Sequence, residues 1–386
     1  MSGLAWAVVV PLLALRPVHP RVRGVLRPLV LAQVQREHHT VIWVQKYRNV
    51  VLDIVLRIQA AFTCGTEFFI CILPLLFWVG EFRLARHMTI LMDINLYLGN
   101  ALKDLLCAPR PDWNKGVVNV DRPQVKTDSK IHGQAWASLE YGMPSTHVSA
   151  IVAMVSYILH FSSATDRPLD GWTLGALAVW AGTVSFGRVY LGMHSPCDVV
   201  GGVVVGLASL VMYLAVEEWV EAHWQEPLVP LAALGWAAVQ VSAYPQPLEM
   251  TPSFKPVAAF AGVVVGVTLG VFLLPEAHAP AAAAVVAAAR GPYLTPAAGW
   301  FCLRRFLVGM VVVVGVKEAT SPVVRRAAAA LGRVAPFAAC DYEWEQRAGR
   351  APRGVDTRVL LWVVNYGSVG WTVVQPCMLL FAWLGI

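Results

Sequence analysis

Long apolar runs separated by short polar stretches dominate this chain and restrict the folds open to it. Hydrophobic residues make up 57% of the 386 residues and charged residues only 14%, whereas a soluble domain carries about a quarter charged residues. Runs of about 20 apolar residues match the hydrocarbon thickness of a bilayer. Because backbone polar groups inside a bilayer must be satisfied locally, such runs form helices. The sequence therefore predicts an all-α fold, a polytopic membrane bundle.

The apolar runs predict eight or nine transmembrane helices. The expected spans cover about 61–80, 88–107, 145–161, 172–187, 197–216, 228–243, 256–274, 299–316 and 358–384. Their spacing predicts three regions: a basic lead-in over 1–58, a core over 59–216, and C-terminal transmembrane helices over 217–386 with a polar loop at 321–357. The apolar stretch 4–15 is short for a span, and whether it crosses the membrane, is cleaved or lies at the interface stays open.

The charge balance narrows the class of partner. The net charge of +6 fits loops that face anionic head groups and an anionic substrate. No basic tract with interleaved aromatics is present, which argues against nucleic-acid binding. The seven cysteines are scattered without a CxxC pair. We expect them to be small buried hydrophobes and not disulfide or metal-binding residues.

Three short polar motifs stand at the ends of predicted spans, where polar groups are costly to keep. In the first motif, Lys103 and Arg110 are seven residues apart, about two helical turns, which predicts a shared helix face before Pro111. Two fixed cations there could hold a phosphate through charge-assisted bonds. The alternative is that both side chains snorkel to lipid head groups.

The second motif, Pro144-Ser145-Thr146-His147, opens the third span. Ser145 is a natural N-cap, and a helix N-terminus offers free N–H groups and a positive dipole to an anion. His147, in the first turn, could donate a proton to a leaving alkoxide. The alternative is an ordinary cap followed by an interfacial histidine.

The third motif, Arg188 with His194 and Asp198, joins the fourth span to the fifth. A neutral imidazole is a good nucleophile toward phosphorus if a carboxylate holds its other nitrogen. Alternatively, Ser195 and Asp198 are the N-cap and N3 residues of a capping box. Both roles could coexist if the two carboxylate oxygens divide the work. An even number of crossings separates any two motifs, so all three are predicted to face one side of the membrane.

Together these motifs resemble those of the type 2 phosphatidic acid phosphatase superfamily, which includes lipid phosphatases, glucose-6-phosphatase and vanadium haloperoxidases. Thr146 stands where the superfamily pattern has glycine, and Gly187 where it has serine. The residues 139–143 before the second motif, the segment 188–194 and the final Asn365-Tyr366-Gly367 are similar to the sphingosine-1-phosphate (long-chain base phosphate) phosphatase branch.

The resemblance implies a site and a reaction. The phosphate would be bound by Lys103, Arg110, Ser145, Thr146 and Arg188. His194 would attack phosphorus and form a phosphohistidine, Asp198 would orient His194, and His147 would protonate the leaving alcohol and later activate water. No metal or other cofactor is required, since three fixed cations supply the electrostatic stabilisation.

The expected function is therefore that of a metal-independent membrane phosphatase of sphingolipid metabolism, with 59–216 as its catalytic core. Its partners would be a long-chain lipid phosphate and the bilayer, and its oligomeric state stays open. Two alternatives remain: a phosphatase of another lipid or polyprenyl phosphate, and a non-catalytic phospholipid-binding or transport protein. The resemblance implies the endoplasmic reticulum membrane with a lumenal site, whereas the positive-inside rule predicts a cytosolic one.

Overall fold

The structure, a computed structural model, describes residues 19–63, 66–120, 140–249, 251–274, 296–334, 339–340 and 355–386. Its α-helices, in chain order, are α1 (His19–Gln45), α2 (Val50–Phe62), α3 (Thr66–Trp78), α4 (Phe82–Leu106), α5 (Thr146–Ala164), α6 (Gly171–Tyr190), α7 (Pro196–Ala222), α8 (Leu228–Ala243), α9 (Phe254–Leu273), α10 (Pro296–Val334), α11 (Thr357–Val374) and α12 (Pro376–Leu384). A 3-10 turn (Trp113–Lys115) and a two-residue parallel pairing of β1 (Ala339–Cys340) with β2 (Val355–Asp356) are also present. The predicted all-α fold is confirmed.

Five helical segments within the described residues are long and apolar enough to cross a membrane. They are Thr146–Ala164, Pro196–Ala222, Phe254–Leu273, Gly299–Ala327 and Leu361–Leu384. Phe68–Trp78 and Leu228–Ala243 are shorter apolar helices. The chain is thus a multi-pass membrane protein by the length and composition of these helices, while the count of eight or nine spans stays a prediction.

Part of the C-terminal stretch 321–357, which the sequence predicted to be a polar loop, is helical in the structure. Helix α10 continues to Val334, with Pro322 inside it, so the prediction is wrong for residues 321–334. Residues 327–330 are all alanine, the residue type with the highest helix propensity, and this favours continuation of the helix beyond Pro322. The apolar stretch 4–15 lies outside the described residues.

Contacts divide the chain into two compact units. The first comprises Met1–Ile70, Leu91–Val216 and Ala243–Pro256, and the second Cys71–Ile90, Glu217–Ser242 and Val257–Ile386. Every predicted site residue belongs to the first unit. The second has its own apolar core around Trp78 and Phe381, whose rings meet edge to face with centroids 5.9 Å apart.

Helix α1, within the predicted lead-in, anchors several parts of the first unit through polar side chains. The Gln45 amide donates to the Tyr190 carbonyl at the end of α6 (3.0 Å). The Glu37 carboxylate accepts from the Cys197 N–H in the first turn of α7 (2.6 Å). Arg23 donates to carbonyls in the last turn of α4. The ends of α4, α6 and α7, which carry two of the motifs, are therefore tied to one helix.

Close packing of α7 on α5 depends on two glycines. A Cβ at Gly202 would lie 2.6 Å from the Ser145 carbonyl oxygen, and one at Gly206 would lie 2.6 Å from the Ser149 oxygen. The obstacle in both cases is backbone, which cannot move aside as the tip of a side chain can. Small residues let membrane helices approach this closely, and here the approach sets the start of α7 beside the start of α5.

We expect Gly206→Ala to destabilise the protein by about 1–3 kcal/mol, the usual cost of overpacking a tight contact. The matched control is Gly175→Ala on α6, where an added Cβ meets no atom within 4 Å and alanine has the better helix propensity. Thermal unfolding of both variants in detergent measures the difference. Equal unfolding temperatures for the two variants would contradict the packing interpretation.

Candidate active site

The first motif is built differently from the shared helix face that its spacing predicts. Helix α4 ends at Leu106, and Cys107 adopts a positive φ of 50°, so Arg110 lies in the loop beyond the helix. The predicted common helix face is therefore wrong. The two cations meet instead at Glu140: its Oε1 pairs with Lys103 Nζ, and its Oε2 with Arg110 Nη2 at 2.8 Å.

Burial distinguishes these cations from interfacial ones. The side chain of Lys103 is 1% exposed and that of Arg110 6%. A snorkelling side chain keeps its charged end in water or among head groups, so their burial argues against that alternative. A buried cation needs a compensating anion, which Glu140 supplies here.

Hydrogen bonds connect the three motifs to one another. Lys103 Nζ donates to Thr146 Oγ1 (3.3 Å), which links the first motif to the second. Arg110 Nη1 donates to the Met193 carbonyl (3.1 Å), which links the first to the third. The Ser145 N–H donates to the Asp198 carbonyl (2.9 Å) and links the second to the third. The motifs, far apart in sequence, therefore form one cluster.

Ser145 stands at the predicted N-cap of α5 in an extended conformation, but its side chain makes no capping bond. Its hydroxyl is fully buried and has no hydrogen-bond partner among the described residues. An unpaired buried hydroxyl is costly. Ser145 Oγ is therefore available to an oxygen of a bound anion, beside the N–H groups of the first turn of α5. His147 follows in that turn and is half-buried.

Asp198 serves as the N3 residue of a capping box. Its Oδ2 accepts from the Ser195 N–H (2.8 Å), and its own N–H donates to Ser195 Oγ (3.3 Å). The same Oδ2 lies 3.6 Å from His194 Nδ1, beyond hydrogen-bond length. Asp198 Oδ1 has no partner in the described part of the chain. A single oxygen therefore faces both groups, and the expected division between two oxygens is not seen.

The environment of His194 favours the uncharged imidazole. The side chain is buried, and burial together with the positive charges of Arg110 and Arg188 lowers its pKa well below the usual value. Loss of solvation and nearby like charges both disfavour a charged histidine. A ring nitrogen of His194 therefore keeps its lone pair at neutral pH, as a nucleophile requires.

Glu140 was not among the predicted site residues, although it lies only four residues before Pro144, the first residue of the second motif. Burial opposes its ionisation, but the charges of Lys103 and Arg110 hold its pKa well below the usual range. It is thus a carboxylate at neutral pH. The sequence did contain a sign of its role, an acidic residue close to motifs rich in basic residues. Only the fold places that residue between the two cations.

Comparison with known proteins finds a family resemblance over the stretch that contains the cluster. The family model described as "PAP2 superfamily" matches residues 85–221. Residues 85–221 therefore resemble a PAP2 superfamily domain. All eight predicted site residues lie within this stretch.

Curated relatives point to the same domain. The chain is 35% identical over 260 residues to lipid phosphate phosphatase delta of Arabidopsis thaliana, covering 64% of this chain and 59% of the relative. It is 28% identical to a dihydrosphingosine 1-phosphate phosphatase of Schizosaccharomyces pombe (65% and 60% covered). It is 29% identical to human sphingosine-1-phosphate phosphatase 2 (60% and 55%).

These matches cover between 55% and 60% of the length of the relatives named here. No solved structure matches the chain. The resemblance predicted from the motifs, to the superfamily and to its sphingosine-1-phosphate phosphatase branch, is confirmed.

A small cleft beside the PAP2 motifs is lined in part by residues outside the matched stretch. Its walls are formed by Leu56, Gln59, Ala60, His147, Val184, Gly187, Arg188 and Leu191. A Cβ at Gly187 would lie 3.4 Å from Leu56, so a serine in its place would point toward α2. The first unit therefore brings α2 to the cluster, with Leu56, Gln59 and Ala60 in the cleft that His147 also lines.

Proposed function

We propose that this protein is an integral-membrane lipid phosphate phosphatase that hydrolyses a sphingoid base 1-phosphate to the free base and phosphate. The observation that carries the proposal is the buried His194, 3.6 Å from Asp198, where burial and the charges of Arg110 and Arg188 lower its pKa. A binding protein needs the cations but not a nucleophile. The names of the relatives in Schizosaccharomyces pombe and humans support the sphingoid substrate.

Phosphate binding falls to five residues in this proposal. The cations Lys103, Arg110 and Arg188 would neutralise the phosphate. The hydroxyl and N–H groups of Ser145 and Thr146, at the start of α5, would bind its remaining oxygens. Charge-assisted bonds from fixed donors are the strongest available to a phosphate. They would also stabilise the charge that spreads over the equatorial oxygens in the transition state.

The geometry of His194 assigns its nitrogens. Nδ1 faces the Asp198 carboxylate at 3.6 Å, so Nε2 is the atom that would attack phosphorus. As the N–P bond forms, the P–O bond to the alcohol breaks, and His147 would donate a proton to the departing oxygen. Water would then attack the phosphohistidine with His147 as base, breaking the N–P bond and releasing inorganic phosphate.

The cleft beside His147 offers some apolar surface to the leaving group. Leu56, Ala60, Val184 and Leu191 form its apolar surface, next to the residue that would protonate the leaving group. The carbon skeleton of the alcohol must extend from that oxygen. Gln59 and Arg188 line the same small cleft, so it would receive the first carbons of the leaving alcohol and not a whole chain.

We expect the purified protein to release phosphate from sphinganine 1-phosphate in mixed micelles at the same rate with and without excess EDTA, since fixed cations carry the electrostatics. Vanadate, which mimics the five-coordinate phosphorus of the transition state, should inhibit. The comparison substrates are lysophosphatidate, a polyprenyl phosphate and a soluble aryl phosphate. Highest kcat/KM on the polyprenyl or soluble ester would overturn the substrate assignment, and binding without phosphate release would indicate a non-catalytic lipid-binding protein.

We also propose that the protein resides in the endoplasmic reticulum membrane, where sphingolipid phosphatases with the same motifs would meet their substrate. The side faced by the site can be decided by protease protection of a tag inserted within residues 113–130. Cleavage of the tag in sealed microsomes would indicate a cytosolic site, and protection a lumenal one.

A further inference from the structure

The Glu140 carboxylate occupies a special place in the site, because both of its oxygens are bound to cations that would hold the phosphate. Oε1 pairs with Lys103 Nζ, and Oε2 lies 2.8 Å from Arg110 Nη2. Two oxygens of a phosphate would make the same pair of contacts, since both anions present oxygens to the same two donors. The carboxylate therefore stands where part of the phosphate would bind.

Exposure indicates the direction from which this carboxylate approaches. The Glu140 side chain is 31% exposed, whereas its partners Lys103 and Arg110 are 1% and 6% exposed. Glu140 thus covers two buried cations from the more open side. A phosphate arriving from solvent or from the membrane interface must take that side as well.

Neither cation depends on the carboxylate alone for its position. Arg110 Nε donates to the Glu140 backbone carbonyl (3.0 Å), and its Nη1 donates to the Met193 carbonyl. Lys103 Nζ also donates to Thr146 Oγ1. These bonds persist if only the Glu140 side chain swings away, so the cations would stay in place for an incoming anion.

We propose that Glu140 is an affinity-determining residue of the phosphate site, whose carboxylate fills the empty site, is displaced by the substrate phosphate and returns to displace inorganic phosphate. The proposal rests on the phosphatase function proposed above. Its physical basis is competition: an anion tethered beside the cations weakens the binding of every other anion there. Product release is thereby accelerated at the expense of weaker substrate binding.

The test is the inhibition constant of inorganic phosphate in Glu140→Gln, a variant with the same shape and no charge. We expect the constants for phosphate and for vanadate to fall about tenfold, and KM to fall with them, because two cations lose their internal anion. If Glu140 instead served only to brace the cations, both inhibition constants and KM would rise. A rise or no change overturns the proposal.

Glu249→Gln is the matched control, since it removes the same charge from an exposed side chain of the same unit. It should leave the inhibition constants unchanged, and a fall equal to that in Glu140→Gln would overturn the proposal by making the effect one of net charge. If Glu140→Gln does not fold, Glu140→Asp replaces it. The shorter side chain withdraws the carboxylate from the two cations that it contacts in the wild type, so phosphate binding should tighten, though less than in Glu140→Gln, and unchanged binding contradicts the proposal.

Binding of phosphate and vanadate can be measured without turnover, by the rise in unfolding temperature that they cause. The failure of the two proposals is therefore distinguishable. If Glu140→Gln binds phosphate more tightly than the wild type, but the wild type hydrolyses no lipid phosphate, the role of Glu140 is supported and the phosphatase function is refuted. A protein that hydrolyses the lipid but shows no tightening refutes only the role of Glu140.

Discussion

His194→Ala is expected to lower kcat by at least about 10⁴-fold, because it removes the nucleophile and with it the covalent route. The loss should appear in kcat and not in KM, since the phosphate-binding cations remain. It should be accompanied by the disappearance of acid-labile, base-stable phosphate from enzyme quenched during turnover of ³²P-labelled substrate. Both measurements use the full-length protein in detergent.

His39→Ala is the control for this variant. His39 is an exposed histidine on α1 of the same unit, so its loss tests the effect of removing an imidazole as such. Wild-type turnover is expected. Turnover of His194→Ala close to that of His39→Ala would exclude the phosphohistidine mechanism.

Asp198→Asn is expected to lower kcat by about 10²–10⁴-fold while the protein stays folded. The asparagine oxygen can still accept from the Ser195 N–H, so the cap of α7 is retained. What disappears is the negative charge 3.6 Å from His194 Nδ1, which would stabilise the imidazole as it becomes positive on phosphorylation. Steady-state kinetics and thermal unfolding on the same preparation separate the two effects.

Ser195→Ala provides the converse variant. It removes the hydroxyl that accepts from the Asp198 N–H and leaves the carboxylate, so it should cost about 0.5–2 kcal/mol of stability with a much smaller loss of kcat. If Asp198 were only a capping residue, the order would be reversed, and Asp198→Asn would be nearly as active as the wild type.

The site shows where inference along the chain succeeds and where it stops. Four residues separate His194 from Asp198, about one helical turn, and this spacing predicted that they would be neighbours; they lie 3.6 Å apart although His194 precedes α7, which begins at Pro196. The same logic failed for Lys103 and Arg110. It assumed that α4 continues, whereas the helix ends at Leu106 and the two side chains meet through Glu140.

The contribution of α1 and α2 could not be predicted from their sequence. Composition predicted only a basic lead-in, yet Glu37 accepts from the first turn of α7 and Leu56 lines the cleft beside His147. Neither residue carries a local pattern that marks it. Such contacts depend on which helices pack together, and neither the composition nor the apolar runs of these segments specify their partners.

By itself, the sequence determined the all-helical membrane fold and the chemical groups of the site. Bilayer thickness and backbone hydrogen bonding leave an apolar chain little alternative to helices, and few residue types can bind or attack a phosphate. Only the tertiary structure decided which groups meet: Glu140 bridges two cations, His194 is buried near Arg110 and Arg188 so that its pKa falls, and α2 lines the cleft beside His147. All three features depend on how closely segments far apart in sequence approach one another and how deeply they are buried. Electrostatic energies change steeply with distance and burial.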